Sequence, residues 1–245
     1  MANSFTYRGY DFADYGLVVE ERSIPMEHRI DSIPLHWRAF ATDSKIEAKP
    51  ISLDITVTAA SVTVLKTNID TIKRLLNTQV DERLILDSLS DRYWWARFRS
   101  LTGKFKGIRF EGSVDFICLD PYAYDNNEVS PDYIDNEEPE TIQVTPGGTA
   151  LIEPVFTLTA DGQQHGVTVK VKNDTLGMEI QWAGDLENGE QLAFDCSTWI
   201  VTLEGAASMS AVSGQFPVLS PGVANQIEVY DFTGNVNITY RNRYA

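Results

Sequence analysis

The sequence predicts a mainly β protein of two domains: an α+β first domain, in which a β-sandwich carries one docked helix, followed by an all-β sandwich. Residues 51–58 alternate between apolar and polar side chains, which is typical of a half-buried strand. Residues 62–76 change to a helical period. From residue 150 onward only strand patterns occur, with turn signals about every ten residues, as in a sandwich or barrel.

The chain of 245 residues is long for one domain and suits two. We place the first domain at residues 1–124, an acidic linker or surface loop at 125–150, and the second domain at 151–245. Residues 125–150 are rich in Asp, Asn and Glu and end in Pro146-Gly147-Gly148, a composition typical of a connection. Their carboxylates lack the spacing of a known calcium loop, so no metal site is expected there.

The helix of the first domain follows the alternating strand. Its apolar stripe consists of Val62, Leu65, Ile69, Ile72 and Leu76. Because β-branched residues dominate the start of this stripe and have a low helix propensity, we expect the helix to begin only near Thr67.

Residues 91–98, Asp-Arg-Tyr-Trp-Trp-Ala-Arg-Phe, hold the densest aromatic cluster of the chain. Alternate side chains of a strand point to opposite faces, so both faces of this one are aromatic or apolar. Two interpretations stay open: a central strand buried on both sides, or a strand with one face on another subunit, since Trp, Tyr and Arg are enriched in contact surfaces. The candidate contact residues are Tyr93, Trp94, Trp95, Arg97, Tyr122 and Tyr124.

The second domain carries two tryptophans with two readings each. Trp182 and Trp199 are large residues that a sandwich buries in its core. They are also the candidates for stacking on a sugar ring if the domain is a carbohydrate-binding module. Trp182 shares a strand face with Ile180 and Met178, which favours the core.

Nearly all of the net charge of −15 lies in the second half. Residues 1–124 hold 16 Lys and Arg against 17 Asp and Glu, whereas residues 125–245 hold 4 against 18. Such a half repels a phosphate backbone, so sequence-specific nucleic-acid binding is not expected. An acidic wall would, however, suit a conduit along which nucleic acid slides.

The sequence has no motif of a known catalytic or cofactor site. Cys118 and Cys196 have no zinc-type spacing, and we expect two buried thiols in place of a disulfide or a metal site. No apolar run is long enough for a membrane helix, and the first 15 residues lack the apolar core of a secretion signal. We therefore expect a non-enzymatic protein without metal or cofactor, not bound to a membrane and made in a cytoplasm.

Short landmarks in a fixed order run along nearly the whole chain. They are residues 5–9 with 14–17, the strand 51–57 before a helix, Leu86-Asp87 leading into 91–94, the closing 120–124, the segment 180–195, and 219–222 with Asn225. In this order and spacing the chain resembles the distal tail protein family of long-tailed, non-contractile (siphovirus-type) bacteriophages. The second domain shows no large insertion, so no separate sugar-binding domain is evident.

The resemblance implies a hexameric ring at the tip of the phage tail. First domains would form the ring around a DNA channel, and second domains, galectin-like β-sandwiches, would project outward. One ring face would bind the tail tube protein and the other the tail-associated spike or lysin protein, while the outer domains can carry receptor-binding proteins. The resemblance thus implies a structural hub of the virion, made in the host cytoplasm; the alternative from the residues is a carbohydrate-binding β-sandwich adhesin.

Overall fold

The computed structural model describes residues 3–24, 32–35, 38–41, 48–135 and 140–245. Over these residues the predicted fold class is confirmed, with antiparallel β-sheets and a single α-helix. The chain divides into two compact units, Met1–Tyr124 with Ala245, and Asp125–Tyr244.

The first unit consists of strands and one helix, α1, which buries one face. Its strands are β1 (Phe5–Tyr7), β2 (Tyr10–Asp11), β3 (Leu17–Ser23), β4 (Ser32–Leu35), β5 (Arg38–Ala41), β6 (Lys49–Thr58), β7 (Glu82–Leu86), β8 (Arg92–Lys106), β9 (Arg109–Cys118) and, at the boundary, β10 (Ala123–Asp125). Helix α1 spans Val62–Leu76. Single 3-10 turns lie at Phe12–Tyr15 and Asp87–Leu89.

Strand β8 joins the two sheets of the first unit. Its start pairs with β7 in the order β2-β1-β7-β8, and the rest pairs with β9 in the order β8-β9-β6-β3. The register shifts between Phe98 and Ser100, where a bulge lets the strand turn from one sheet into the other. The sheets pack through aromatic rings: the centroid of Phe116 on β9 lies 5.7 Å from that of Phe5 and 5.1 Å from that of Tyr7, both on β1.

Helix α1 begins earlier than its propensity suggests. The Ser61 side chain accepts a hydrogen bond from the Val64 amide at 3.3 Å, so an N-cap fixes the first turn and the expected start near Thr67 is wrong. Val62, which the apolar stripe included, is 45% exposed. The other four residues of the stripe are buried, as the period predicts: Leu65, Ile69, Ile72 and Leu76.

The second unit is a sandwich of two antiparallel sheets around one core. Its strands are β11 (Asp132–Asp135), β12 (Glu140–Val144), β13 (Val155–Ala160), β14 (Gln164–Asn173), β15 (Met178–Leu186), β16 (Gln191–Asp195), β17 (Ile200–Leu203), β18 (Ala206–Ala207), β19 (Val212–Gly214), β20 (Asn225–Tyr230) and β21 (Gly234–Thr239). A further strand, β22 (Arg243–Tyr244), lies outside the two sheets of the sandwich. One sheet has the order β11-β21-β13-β16-β17-β18 and the other β12-β20-β14-β15-β19. A 3-10 turn lies at Met209–Ala211.

The segment 125–150, which we expected to be a linker or surface loop, contains two strands, and the prediction is wrong for both. Strand β11 pairs with β21 and β12 pairs with β20, so this acidic segment adds a strand to each sheet. The reason lies in the few apolar residues among its acids: Ile142 and Val144 on β12 are buried in the core.

A buried polar network holds the corner before β20. The Asn225 amide nitrogen donates to the carbonyls of Val144, Ser220 and Val223 at 2.9–3.2 Å. Its amide oxygen accepts from the Ser220 amide at 2.8 Å and from the Asn173 side chain at 3.1 Å. Five loop and strand groups thus meet at one side chain, which explains why Asn225 belongs with the landmark at residues 219–222.

Candidate functional site

The outer side of β8 carries a cluster of rings centred on Tyr93. The Tyr93 ring stacks on Tyr124 with centroids 5.7 Å apart and planes at 24°, and meets Trp95 edge-on at 5.6 Å and 89°. The Arg83 guanidinium carbon lies 4.0 Å from the Tyr93 centroid. Register produces this arrangement, because Arg83 on β7 pairs with Trp95 on β8. Ring pairs and a cation over a ring each stabilise by about 0.5–1.5 kcal/mol.

The closing landmark at residues 120–124 holds Tyr124 in this cluster. The Tyr124 hydroxyl donates a hydrogen bond to the Asp120 carboxylate, and the other oxygen of Asp120 accepts one from the Tyr122 amide at 3.2 Å. Arg97, two positions beyond Trp95, donates to Asp81 at 3.1 Å. The structure therefore brings five of the six predicted contact residues to one region of the sheet.

Burial changes the role of two predicted contact residues. Tyr93 is 5% exposed beneath its neighbouring rings, and Trp94 is 3% exposed on the opposite, core-facing side of β8. Neither ring offers a surface to another molecule, so the prediction is corrected for both. Trp95 is 39% exposed. Together with half-buried Arg97 and Tyr122 it forms the accessible part of the region.

The sheet β8-β9-β6-β3 has an apolar and a polar face. Apolar residues of β6 and β9, such as Leu53 and Val114, are fully buried. The opposite face carries mainly hydroxyls and carboxylates, and we call it the hydroxyl face. It includes Ser52, Asp54, Thr56, Ser100, Thr102, Glu111, Ser113 and Asp115, which lie opposite one another across the three strands.

Hydrogen bonds tie the strands together across the hydroxyl face. Asp115 accepts from the Ser100 hydroxyl at 2.6 Å and from the Ser52 hydroxyl. These two bonds, first that of Ser100 and then that of Ser52, hold the pKa of Asp115 below its usual value, while burial acts weakly in the opposite direction. The hydroxyl oxygens of Thr102 and Ser113 lie 3.1 Å apart. Away from the end of the β8–β9 hairpin the face is thus ordered, small in its side chains and negative. Toward the hairpin end the same alternation places Lys104, Lys106 and Arg109 on it, and Lys106 pairs with Glu111.

The two candidate sugar-stacking tryptophans have opposite environments. Trp182 is 3% exposed in the sandwich core, and its indole N–H donates to the Ser208 hydroxyl at 2.9 Å. It therefore cannot stack on a sugar, and that prediction is corrected. Trp199 is 69% exposed.

Trp199 occupies the last position of the four-residue loop between β16 and β17. Its φ is +59°, a left-handed conformation that costs a side-chain-bearing residue about 1–2 kcal/mol. Asp195 stabilises the loop by accepting from the amides of Ser197 and Thr198 at 2.9 and 3.2 Å. A strained backbone thus presents an exposed indole.

Sequence reasoning missed the end of the β8–β9 hairpin. The alternation of basic and apolar residues from Lys104 to Phe110 is visible in the sequence, but the exposure of these side chains is not.

Strand β8 continues through Gly103, which lies opposite Gly112 on β9. A Cβ on Gly112 would lie 2.0 Å from the Thr102 carbonyl oxygen, so the close approach of the two strands requires glycine.

The described residues contain no group of three or more acidic, His or Cys side chains placed to hold a metal ion. Cys118 and Cys196 are free and buried, as expected. Burial raises the pKa of the Cys118 thiol to about 12 and that of Cys196 as well. None of the helices described is long and apolar enough to cross a membrane.

The fold has counterparts among phage tail proteins. SPP1 Dit, whose crystal structure is described as a paradigm of the hub adsorption apparatus in Gram-positive infecting phages, superposes with a TM-score of 0.81 at 16% identity over 100% of both chains. A chain of the phage p2 baseplate in its activated conformation with Sr superposes with a TM-score of 0.50 at 9% identity over 99% of both chains. No curated protein matches the sequence.

A protein-family model also matches part of the sequence. Residues 147–244 match the siphovirus-type tail component, C-terminal domain. These residues comprise most of the second unit. The sequence likeness to the siphovirus-type tail component family thus covers residues 147–244, the part of the chain that holds the landmarks at 180–195 and 219–222.

Proposed function

We propose that the chain is a non-enzymatic structural hub that assembles as a hexameric ring around a DNA channel at the distal end of the phage tail. The ring joins the tail tube protein to the tail-associated spike or lysin protein, and its outer, galectin-like second unit carries receptor-binding proteins. The observation that carries the proposal is the fold. The entire chain shares it with SPP1 Dit, a protein of the hub adsorption apparatus.

The hydroxyl face supports a channel. A surface that DNA must slide along has to avoid lasting contacts with phosphate, and Lys and Arg supply most of such contacts. Away from the hairpin end, the hydroxyl face offers small Ser and Thr side chains with the carboxylates of Asp54 and Asp115, whereas Lys104, Lys106 and Arg109 follow at the hairpin end. Facing the lumen of a ring, the part without cations would repel the phosphates weakly and bind none of them tightly.

The region around Trp95 supports contacts between protein chains. Exposed Trp, Tyr and Arg side chains contribute most per residue to protein interfaces. Trp95 stands edge-on against Tyr93, so its ring is held in place before a partner binds, which lowers the entropy lost on association. We assign Trp95, Arg97, Tyr122 and Tyr124 to an inter-subunit or partner contact.

For the alternative function, carbohydrate binding, Trp199 is the one remaining candidate for stacking on a sugar ring, since Trp182 is buried. Sugar sites combine an aromatic ring with polar groups that bind the hydroxyls. The exposed neighbours of Trp199 include Ile200 and Met209, which are 40% and 44% exposed and apolar. Such a surface favours a protein partner over a sugar.

Light scattering and electron microscopy of the purified protein, alone and with the tail tube partner, test the ring. We expect a mass of six chains and particles with a central pore. Trp95→Ala should weaken assembly at least tenfold in concentration, whereas Val62→Ala, which truncates an apolar residue 45% exposed at the start of helix α1, should not. Monomers alone at high concentration, with and without the partner, would contradict the proposal.

A further inference from the structure

The end of the β8–β9 hairpin is exposed on both of its faces, with Phe105 on one face and the side chains of Lys104, Lys106 and Arg109 on the other. Phe105 and Ile108 are 49% and 50% exposed. Lys104, Lys106 and Arg109 alternate with them and are exposed too. We call these five residues the basic hairpin. Water-exposed apolar side chains flanked by cations are typical of a contact surface for an acidic partner.

The basic hairpin is held rigidly. Lys106 pairs with Arg109 across a two-residue turn whose first residue, Gly107, has φ +62°. Phe105 packs edge-on against Phe110 at 5.3 Å. The Ile108 carbonyl accepts a hydrogen bond from Ala59, at the end of β6, at 3.2 Å. The surface therefore exists before any partner binds.

The second unit carries a surface of the opposite kind, which we call the Trp199 patch. It consists of Trp199, Ile200 and Met209, exposed by 69%, 40% and 44%. The Met209 sulfur lies 3.1 Å from the Val201 nitrogen, which places it beside the Ile200–Val201 peptide. Asp195 lies directly across from Ile200 on the adjacent strand.

The charge around the Trp199 patch is negative. Residues 173–240 contain nine Asp and Glu and not a single Lys or Arg. Lys170 and Lys172 pair with three of these carboxylates, which are those of Asp174, Glu179 and Glu228. Asp195, the carboxylate beside the patch, is not among the three. The basic hairpin has two exposed apolar side chains and three cations, of which Lys106 already pairs with Glu111 of the same hairpin. The Trp199 patch has three exposed apolar side chains in an acidic surrounding.

We propose that the basic hairpin of one copy of this chain docks on the Trp199 patch of a second copy. Phe105 and Ile108 cover the indole and its apolar neighbours, and the hairpin cations face the carboxylates around the patch. The contact joins two different surfaces, so each copy has one of each to offer and the chain of contacts can close into a ring. The inference rests on the proposed ring and names a contact that closes it.

The strained backbone at Trp199 is consistent with a docking site. A left-handed backbone at a bulky residue persists only where the surrounding structure enforces it, and such positions concentrate at binding sites. Here the loop turns the indole outward, where only an external partner can cover it.

Disulfide trapping between separately prepared variants tests the contact. Phe105→Cys and an isotope-labelled Trp199→Cys are mixed under mild oxidation, and labelled–unlabelled disulfide dimers are measured by mass spectrometry. Each chain holds one engineered thiol, and the native Cys118 and Cys196 are buried. The control mixes Val80→Cys with Trp199→Cys. Thermal unfolding of each variant confirms that it is folded.

We expect at least tenfold more mixed dimer from the Phe105→Cys pair than from the control pair. A yield no higher than the control, while the wild type forms rings, overturns the docking contact and leaves the proposed ring standing. A high yield in a protein that forms no ring supports the contact and removes the ring.

Reversing the charge of the hairpin cations tests the electrostatic contribution to the contact between the basic hairpin and the Trp199 patch. Replacing the three hairpin cations by Glu in the Phe105→Cys chain should lower the yield of mixed dimer at least fivefold. The matched control reverses three exposed cations of helix α1 and changes the net charge equally; these are Lys66, Lys73 and Arg74. Equal yields from the two reversed chains would contradict the assigned role of the cations.

Discussion

The Asp115 carboxylate on β9 accepts a hydrogen bond from the Ser100 hydroxyl on β8 at 2.6 Å, immediately beyond the bulge where β8 changes sheets. The bond holds two strands in register at the position where the ladder of β8 is interrupted. Asp115 therefore links the fold of the first unit to the surface that we assign to the channel.

Acid should destabilise the first unit through Asp115. Its pKa is lower in the folded protein than in the unfolded chain because Ser100 and Ser52 donate to the charged form. The resulting stability is present above the unfolded pKa, at about 4, and is lost as the pH falls through the folded pKa. We expect Asp115→Asn to have a lower melting temperature than the wild type at pH 7, and the difference to shrink as the pH falls through the folded pKa of Asp115.

Asp54→Asn provides the comparison, since Asp54 is an exposed carboxylate of the same face. Its effect should be smaller at pH 7. An Asp115→Asn deficit that stays constant from pH 7 to pH 3 would mean that the hydrogen bonds do not distinguish the charged carboxylate from its amide replacement.

Asn225→Ala should strongly destabilise the second unit. The substitution removes the hydrogen bonds from the side chain to three carbonyls and from the Ser220 amide at the corner before β20, and the bond to the Val144 carbonyl is buried. We expect the free energy of unfolding in urea to fall by about 2–4 kcal/mol. Asn235→Ala, at an exposed position of β21, should change it by less than about 0.5 kcal/mol. Similar losses at both positions would rule out the network as the cause.

Periodicity gave the fold class and much of the core. The alternation at residues 51–58 and the stripe of α1 place Leu53 and Leu65 in the core because burial follows the side-chain period. The period could not give the start of α1, which a single hydroxyl of Ser61 decides. Nor could it show that the acidic segment from residue 125 contains edge strands, since a few apolar contacts outweigh its composition.

The candidate site was only partly predictable, for a physical reason. Composition identifies Trp94 and Trp95 equally, yet one is 3% and the other 39% exposed. The difference depends on which face of β8 meets the other sheet, and this is set by pairing with residues distant in sequence. Composition does not separate Trp182 from Trp199 either. Trp182 lies within a strand, whereas Trp199 lies in a loop with a left-handed backbone.

Gly112→Ala should disrupt the β8–β9 hairpin. The added methyl group would lie 2.0 Å from the Thr102 carbonyl oxygen, so the strands must separate. Overpacking of this kind costs about 1–3 kcal/mol, which urea unfolding measures. Ser113→Ala, one residue along β9, adds no atom and should cost less than about 1 kcal/mol. An unchanged unfolding midpoint for Gly112→Ala would show that the strands tolerate the separation.

Both native thiols should be inert in the folded protein. Cys118 and Cys196 are buried, and burial raises the pKa of each thiol, so little thiolate is present or accessible at pH 8. We expect an aromatic disulfide reagent to titrate none of them in native protein and two per chain in guanidinium. The exposed thiol of Val80→Cys should react within minutes. Rapid native reaction of either cysteine would contradict the burial.

Trp199→Asn should keep or raise the stability of the second unit while it removes the exposed indole. Asn tolerates the left-handed backbone better than Trp does, so the substitution relieves up to about 1 kcal/mol of strain. At 69% exposure, the lost indole contributes little packing. Trp182→Ala, in contrast, empties a core site and should cost about 3–5 kcal/mol. Thermal unfolding compares the two variants. Because Trp95 is also exposed, iodide should still quench Trp199→Asn, but the quenchable fraction of the fluorescence should fall in Trp199→Asn and not in Trp182→Ala. A loss of stability in Trp199→Asn comparable to that of Trp182→Ala would mean that the indole packs within its own chain and is not held outward for a partner.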